Sequence, residues 1–482
     1  MKILMFGWEF PPHISGGLGT ACYGLTSSMV REGMDVIFVV PKLFGNEPDN
    51  GAKLLSASFV KIPLNPEEKM SRVVESENTF EEIPKGTSGG SKLTVVEIPA
   101  QLGSYNLAHR NEPTYSLEHW NYEFEKSYQY QKRKGSAQNS ARSASETTYS
   151  FSGGYGPKLI EEVYKYAAVA SSVAHEQSFD IIHAHDWMTF PAAMAAKRIS
   201  GKPLIIHIHA TEHDRAGNHG SNHVYRIERE ALSFADRIAA VSSWTKKILI
   251  EEYDVPAEKI DVVHNGIIPE ALERKQQVHP IGTQVVTFLG RVTYQKGPEY
   301  FVEAARKVLT QFPNAQFVMA GAGDILPQII TRVANLKMSS HFHFTGFLKK
   351  QEIDKILSYT RVYVMPSVSE PFGITPLEAI MAGVPVIISK QSGVGEVVDH
   401  ALKVDFWDTD ALSQAICSVL QYRSLSETLK KNSREEINRI TWEKAAKKLN
   451  HIYHELITTK SETPGFLFPG SSAQSSKEVA VL

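Results

Sequence analysis

Glu370-Pro371-Phe372-Gly373-Ile374-Thr375-Pro376-Leu377-Glu378-Ala379-Ile380 follows the apolar run Val362-Tyr363-Val364-Met365 and leads into a helical pattern. Two carboxylates thus stand eight positions apart around a glycine. That spacing is slightly more than two helical turns. Glu370 precedes the helix, however, so the two acids need not share a helix face. One stands at a strand's end and the other in the first turns of the next helix. Both face the open carboxyl end of an α/β sheet, where ligands bind.

Outward from this segment, apolar strands are expected at 283–289, 315–319, 342–345, 361–365 and 386–388, with helices between them, including 299–310. The first half has the same alternation. Strands are expected at 2–6, 35–40, 179–185 and 203–209, with another ending at Val241, and helices at 18–31, 187–198 and 244–252. Near-continuous apolar strands point to parallel sheets covered on both faces. The fold class is therefore α/β, with two doubly wound Rossmann-like domains facing a central cleft. Residues 268–282 turn polar, which puts the first domain at 1–278 and the second at 279–440. Residues 127–155, rich in serine and glycine and carrying Lys132-Arg133-Lys134, read as an exposed insertion. A tail at 461–482 reads as disordered.

A chain of 482 residues can bury two cores. Its net charge of -2 provides no basic field for nucleic acid or an anionic membrane, and 42% hydrophobic residues suit a soluble enzyme. Two distant cysteines, Cys22 and Cys417, make no disulfide framework and suggest a reducing, cytoplasmic compartment. No secretion signal or transmembrane segment is expected.

Several groups can do chemistry at the expected strand ends. Gly16-Gly17 follows the first strand and opens a helix whose free amides favour an anion, with Glu9 and His13 nearby. A plain turn is the competing reading. Arg291 and Lys296 follow the first strand of the second domain, and together can grip a diphosphate. Gly321 and Gly323 would keep the cleft open near Asp324. The amides of Gly373, Ile374 and Thr375 can meet the same diphosphate while Glu378 accepts from ribose hydroxyls and Glu370 faces the sugar. His209 ends a strand where it can contact a sugar, while Asp186, Trp187 and Glu212 offer an acceptor surface. His183, His185, Asp186, His207, His209, Glu212, His213 and Asp214 resemble a metal inventory by composition, yet neither HExxH nor a cysteine–histidine spacing is present. No metal is expected.

These segments resemble the retaining nucleotide-sugar glycosyltransferases of the two-domain GT-B type, more narrowly family 4 and its bacterial glycogen synthase relatives. The likeness covers roughly residues 1 to 457, outside the insertion. It implies that Gly16-Gly17 lies by the donor, that Arg291 and Lys296 stabilise the departing nucleoside diphosphate, and that His209 surrounds the transferred sugar. Glu370 is implied beside the donor sugar and Glu378 on the ribose. A final helix within 441–460 is implied to cross back to the first domain. His183-Ala184-His185-Asp186-Trp187 favours α-glucan synthesis. Two departures matter: Ile14-Ser15-Gly16-Gly17-Leu18 lacks a lysine that the glycogen synthases carry, and Glu378 stands where many of them lack a carboxylate. These favour family 4 and leave ADP-glucose only the preferred donor over UDP-glucose.

The resemblance implies hexosyl transfer with retention, the leaving phosphate accepting the incoming proton. No cofactor is obligatory, because two basic side chains can replace a cation. The expected partners are a nucleotide-sugar and a glucan or other carbohydrate acceptor, not nucleic acid. Sucrose-type or other glycoconjugate synthesis is an alternative, and a noncatalytic nucleotide-sugar-binding protein is another.

Overall fold

The computed structural model describes residues 1–13, 16–63, 146–217, 223–268 and 282–462. Seven parallel strands build the first sheet: β1 (Lys2–Phe6), β2 (Asp35–Val40), β3 (Lys53–Ser56), then β6 (Ile181–His185), β7 (Leu204–Ile208), β8 (Arg237–Ala240) and β9 (Ile260–Val262). Between β3 and β6 in the chain, β4 (Ile62–Pro63) and β5 (Glu146–Thr147) form a separate antiparallel pair. The order across the large sheet is β3-β2-β1-β6-β7-β8-β9. Every residue of β6 and β7 is buried, which explains why these strands read as unbroken apolar and histidine runs.

The second sheet has six parallel strands, β10 (Val285–Leu289), β11 (Gln316–Ala320), β12 (Phe342–Gly346), β13 (Val362–Met365), β14 (Val386–Ser389) and β15 (Leu402–Val404). Its order is β12-β11-β10-β13-β14-β15. In each sheet the strand order reverses beside the first strand, between β1 and β6 and between β10 and β13. Those two switch points are where a doubly wound sheet opens to ligands.

The expected α/β class and both sheets are present. The differences are local. The helix expected at 187–198 is Phe190–Ser200. Asp186 takes a left-handed turn (φ 59°), and Pro191 then favours a start in its own first turn. Strands β3 and β15 lacked a periodic signal because they are short and only partly buried. The segment 127–145, its basic triplet, the 278/279 boundary and residues 463–482 lie outside the described residues. Within the expected insertion, Phe151 and Tyr155 are buried in the main core of the first domain, while Ser152 between them is exposed.

The last helix, Trp442–Glu462, continues past the expected tail boundary at 461. It leaves the second domain and packs on the first. Trp442, Ala446, Leu449 and Tyr453 share a core with Cys22, Leu25 and Met29 of the helix Gly17–Arg31. Gly24 lies so close to the Trp442 indole that an added Cβ would collide with it. Arg31–Glu443 (3.3 Å) and Lys447–Glu32 (3.5 Å) ion pairs line the exposed rim of this contact. The chain therefore crosses between domains twice.

Candidate active site

At the end of β1, Glu9 is buried and accepts a hydrogen bond from the Tyr155 hydroxyl. The following helix starts at Gly17, with Gly16 extended (φ −174°). A Cβ on Gly16 would meet nothing within 4 Å among the described residues, so crowding does not explain this glycine. A Cβ on Gly17 would lie 3.8 Å from Ile374 Cδ1. The two helix starts expected to bind phosphate thus face each other across the interdomain cleft.

In the second domain, β10 ends at a tight turn. Gly297 is left-handed (φ 63°), and a Cβ there would collide with the Pro366 carbonyl at the end of β13. The basic turn is consequently pressed against the switch point. Val368 N donates to Gln295 O (2.9 Å), fastening the two loops. Lys296 Nζ there forms an ion pair with Glu370, whose side chain is only 7% exposed, and Ser367 Oγ donates to the same carboxylate (3.1 Å). Arg291 reaches Gln295 Oε1 (3.3 Å). Lys296, Arg291 and Glu370 are therefore held in one place by backbone contacts distant in sequence.

Gly321 and Gly323 do something other than leave the cleft open. Gly321 (φ 144°) lies against Gly290, where any Cβ would overlap the Gly290 carbonyl, and Gly323 lies against Val292 in the same way. They let two strand-end loops touch. The Glu370 loop enters the helix Ile374–Met381, where Thr375 bonds the Tyr363 hydroxyl (2.8 Å). Glu378 Oε1 accepts from Lys350 Nζ (3.0 Å), a partner from a neighbouring helix that no sequence spacing indicated.

Across the cleft, the residues expected to form an acceptor surface have other work. Asp186 is buried and accepts from the His209 amide (2.7 Å) and the Ala210 amide (3.3 Å). Glu212 is buried, and Arg215 bridges it (3.4 Å) to Glu228 (3.2 Å) while donating to the Ala210 carbonyl (2.8 Å). Trp187 is 1% exposed and belongs to the core. Asp186, Trp187 and Glu212, expected as substrate contacts, are thus engaged within the first domain: a carboxylate at a buried strand end satisfies the next strand's amides first. These residues shape the 209–212 loop. Burial pushes the Glu228 carboxyl up to about 7, against the pull of Arg215 and of the Tyr253 hydroxyl at 2.5 Å.

His209 is half-buried and its Nε2 bonds His185 Nδ1 (2.9 Å). Behind it, His183 bonds Tyr453 Oη (2.5 Å) and His207 (3.2 Å), so both of its ring nitrogens are engaged. Alternation along β6 and β7 places all four imidazoles on one face of the sheet. Burial, then neighbouring imidazoles, hold His183, His185 and His207 well below the usual histidine range. Burial lowers His209 as well, with Asp186 opposing. Nitrogens of His183, His185 and His207 lie within 4.8 Å of one another, and His185 Nε2 and His207 Nε2 have no hydrogen-bond partner among the described residues.

Sequence reasoning missed the groups that hold the cleft closed. Ser369 Oγ donates to Asp214 (2.5 Å) and accepts from the Trp244 indole (3.1 Å). Ser242 Oγ donates to the Pro371 carbonyl (2.5 Å). Glu396 of the second domain accepts from the Ser243 and Trp244 amides (2.9 and 2.8 Å) at the start of the helix Ser243–Tyr253, and pairs with His264 (2.9 Å). Burial alone would raise Glu396, but these bonds leave it lowered. Isolated serines and one glutamate carry no sequence signal for such contacts.

Two parallel-sheet domains with facing switch points define the GT-B fold class. A model for Glycosyltransferase Family 4 matches residues 102–271, and one for Glycosyl transferases group 1 matches residues 270–436. An uncharacterized glycosyltransferase of Methanocaldococcus jannaschii, MJ1607, is 26% identical over 474 residues, covering 94% of this chain and 98% of its own length. A glycogen synthase of Mycobacterium tuberculosis is 26% identical over 285 residues, 57% of this chain and 68% of its own. Among solved structures, sucrose-phosphate synthase from Thermosynechococcus elongatus aligns with a TM-score of 0.63 at 17% identity, over 95% of this chain and 99% of its own. The chain thus has the GT-B fold and is similar, over residues 102–271 and 270–436, to the Glycosyltransferase Family 4 and Glycosyl transferases group 1 families.

Proposed function

We propose that this protein transfers a glucosyl group from ADP-glucose or UDP-glucose to an α-glucan, with retention of anomeric configuration. The observation that carries the reading is the Lys296–Glu370 pair at the second switch point, Glu370 buried and Lys296 half-buried, near the start of the helix Ile374–Met381. A donor diphosphate at that helix start would meet its amides together with Lys296 and Arg291. Preorganised donors of this kind stabilise the charge that grows on a leaving phosphate. Lys296 would exchange the Glu370 carboxylate for phosphate as the donor arrives, leaving Glu370 beside the sugar.

Glu378 accepts from the donor ribose in this reading. His209, held in the neutral state by burial, faces the transferred sugar as a hydrogen-bonding group rather than as a cation. Its loop is fixed by Asp186 and Arg215. The leaving phosphate takes the acceptor's proton, so no protein nucleophile is required. The likeness to a glycogen synthase supports the glucan acceptor, while that to sucrose-phosphate synthase keeps another sugar acceptor as the second reading.

The deciding experiment incubates purified protein with ADP-glucose or UDP-glucose, with and without glycogen. Glycogen-dependent release of nucleoside diphosphate and elongated α-1,4-glucan are expected. Donor binding without elongation would move the search to other acceptors; no binding of either donor would overturn the glucosyl assignment.

A further inference from the structure

A second cavity lies beside the segments that join the domains and shares only His264 with the interdomain contacts described above. Its volume is about 320 Å³. Its walls come from three places: Val262 to Asn265 at the end of β9 and after it, Val397 of the second domain, and residues of the returning chain between Arg439 and Lys448. It is therefore bounded by both domains and by the helix Trp442–Glu462.

Three cations line it. Arg439, Lys444 and Lys448 are exposed, and none makes an ion pair among the described residues. Lys444 and Lys448 stand one turn apart on one helix face. The nearby acids are committed: Glu396 to His264 and two backbone amides, and Glu443 to Arg31. The helix begins at this cavity, so its first-turn amides and the positive end of its dipole add to the same field. A separate observation concerns Asn265. It lines the cavity at 6% exposure, yet its Oδ1 has no hydrogen-bond partner. Buried amides normally find partners.

We propose that this cavity is a binding site for a phosphate group, free or carried as a phosphomonoester, distinct from the donor site. Lys444, Lys448 and Arg439 supply the charge, and Asn265 donates to a phosphate oxygen from below. Since the walls belong to both domains and the crossing helix, occupancy favours the interdomain arrangement in which those walls stand together. The inference does not depend on which sugar or acceptor the cleft uses.

The test is calorimetric titration of the full chain at fixed ionic strength with inorganic phosphate and, separately, with glycerol 3-phosphate. Saturable binding is expected, unaffected by saturating UDP. The better of the two probes tells free phosphate from a phosphomonoester. Lys444→Glu with Lys448→Glu should weaken that binding about tenfold or more, the scale expected when charge-assisted hydrogen bonds are lost. Lys355→Glu, an exposed control elsewhere, should leave it unchanged. If the double variant loses its melting transition, Arg439→Gln, which lies before the helix, takes its place. Absence of binding, equal binding by the pocket and control variants, or displacement by UDP would overturn the proposal.

Discussion

Lys296 and Glu370 are 74 positions apart and meet only because Gly297 lets the basic turn press on the end of β13. Their residue types were legible in the sequence; their contact was not, because it depends on a backbone approach with no spacing signature. Lys296→Ala should lower kcat about 10²–10³-fold, the usual cost of losing one preorganised stabilising donor. Steady-state turnover with saturating donor measures this, and a loss below tenfold would remove Lys296 from the leaving-group role. Glu378 is a different case, since Lys350 already satisfies it. Glu378→Gln should raise the donor KM about tenfold while kcat stays within a few-fold, as expected for a group that binds ground and transition states alike. Asp186 and Glu212 are acids near a strand end whose residue types read as ligand groups, and whose bonds to buried amides and to Arg215 no spacing in the sequence announces.

Among elements, strands with continuous apolar runs were legible to within a residue or two, whereas β3 and β15 and several C-terminal helices were not. The latter are surface elements whose pattern is diluted by charge: the helix Arg423–Ile437 buries only Ser426, Leu429, Ser433 and Ile437. Glycines separate the two kinds of constraint well. Gly321 combines φ 144° with a neighbouring carbonyl that any Cβ would overlap. Gly321→Ala should therefore cost more than about 2 kcal/mol, from backbone strain and displaced loops together. Gly16 is extended and faces open space. Gly16→Ala should cost under about 1 kcal/mol, within the range of an uncrowded surface change. Urea unfolding of the two variants tests the contrast, and equal midpoints would refute the steric account of Gly321.

At the scale of the molecule, the two-domain architecture followed from the repeated strand–helix alternation, but the contacts that close the cleft did not. Glu396→Ala removes a cap from the helix Ser243–Tyr253 and its bond to His264 together. The domains of that variant should separate more readily, giving a larger radius of gyration by X-ray scattering; an unchanged radius would mean that Ser242 and Ser369 suffice. The buried imidazoles set a pH dependence for the whole fold. Their folded pKa values lie below the unfolded value near 6.5, so the unfolded chain takes up the extra protons as pH falls below it. The stabilisation from neutral His183, His185 and His207 is full above about 6.5 and is lost below it, at up to about 1.4 kcal/mol per pH unit for each. Glu228, raised to about 7, acts with the opposite sign between that value and the ordinary carboxylate range, but it is one group against three. Urea midpoints should accordingly fall between pH 7.5 and 5.5, and a rise would contradict the neutral cluster. Trp442, Leu449 and Tyr453 complete the first domain's packing although they are encoded after the second. On the ribosome, the early part of the nascent chain must therefore wait with an uncovered apolar groove until the last helix is made. Synthesis stopped at Thr441 should yield aggregates, while synthesis carried through Glu462 should yield soluble protein.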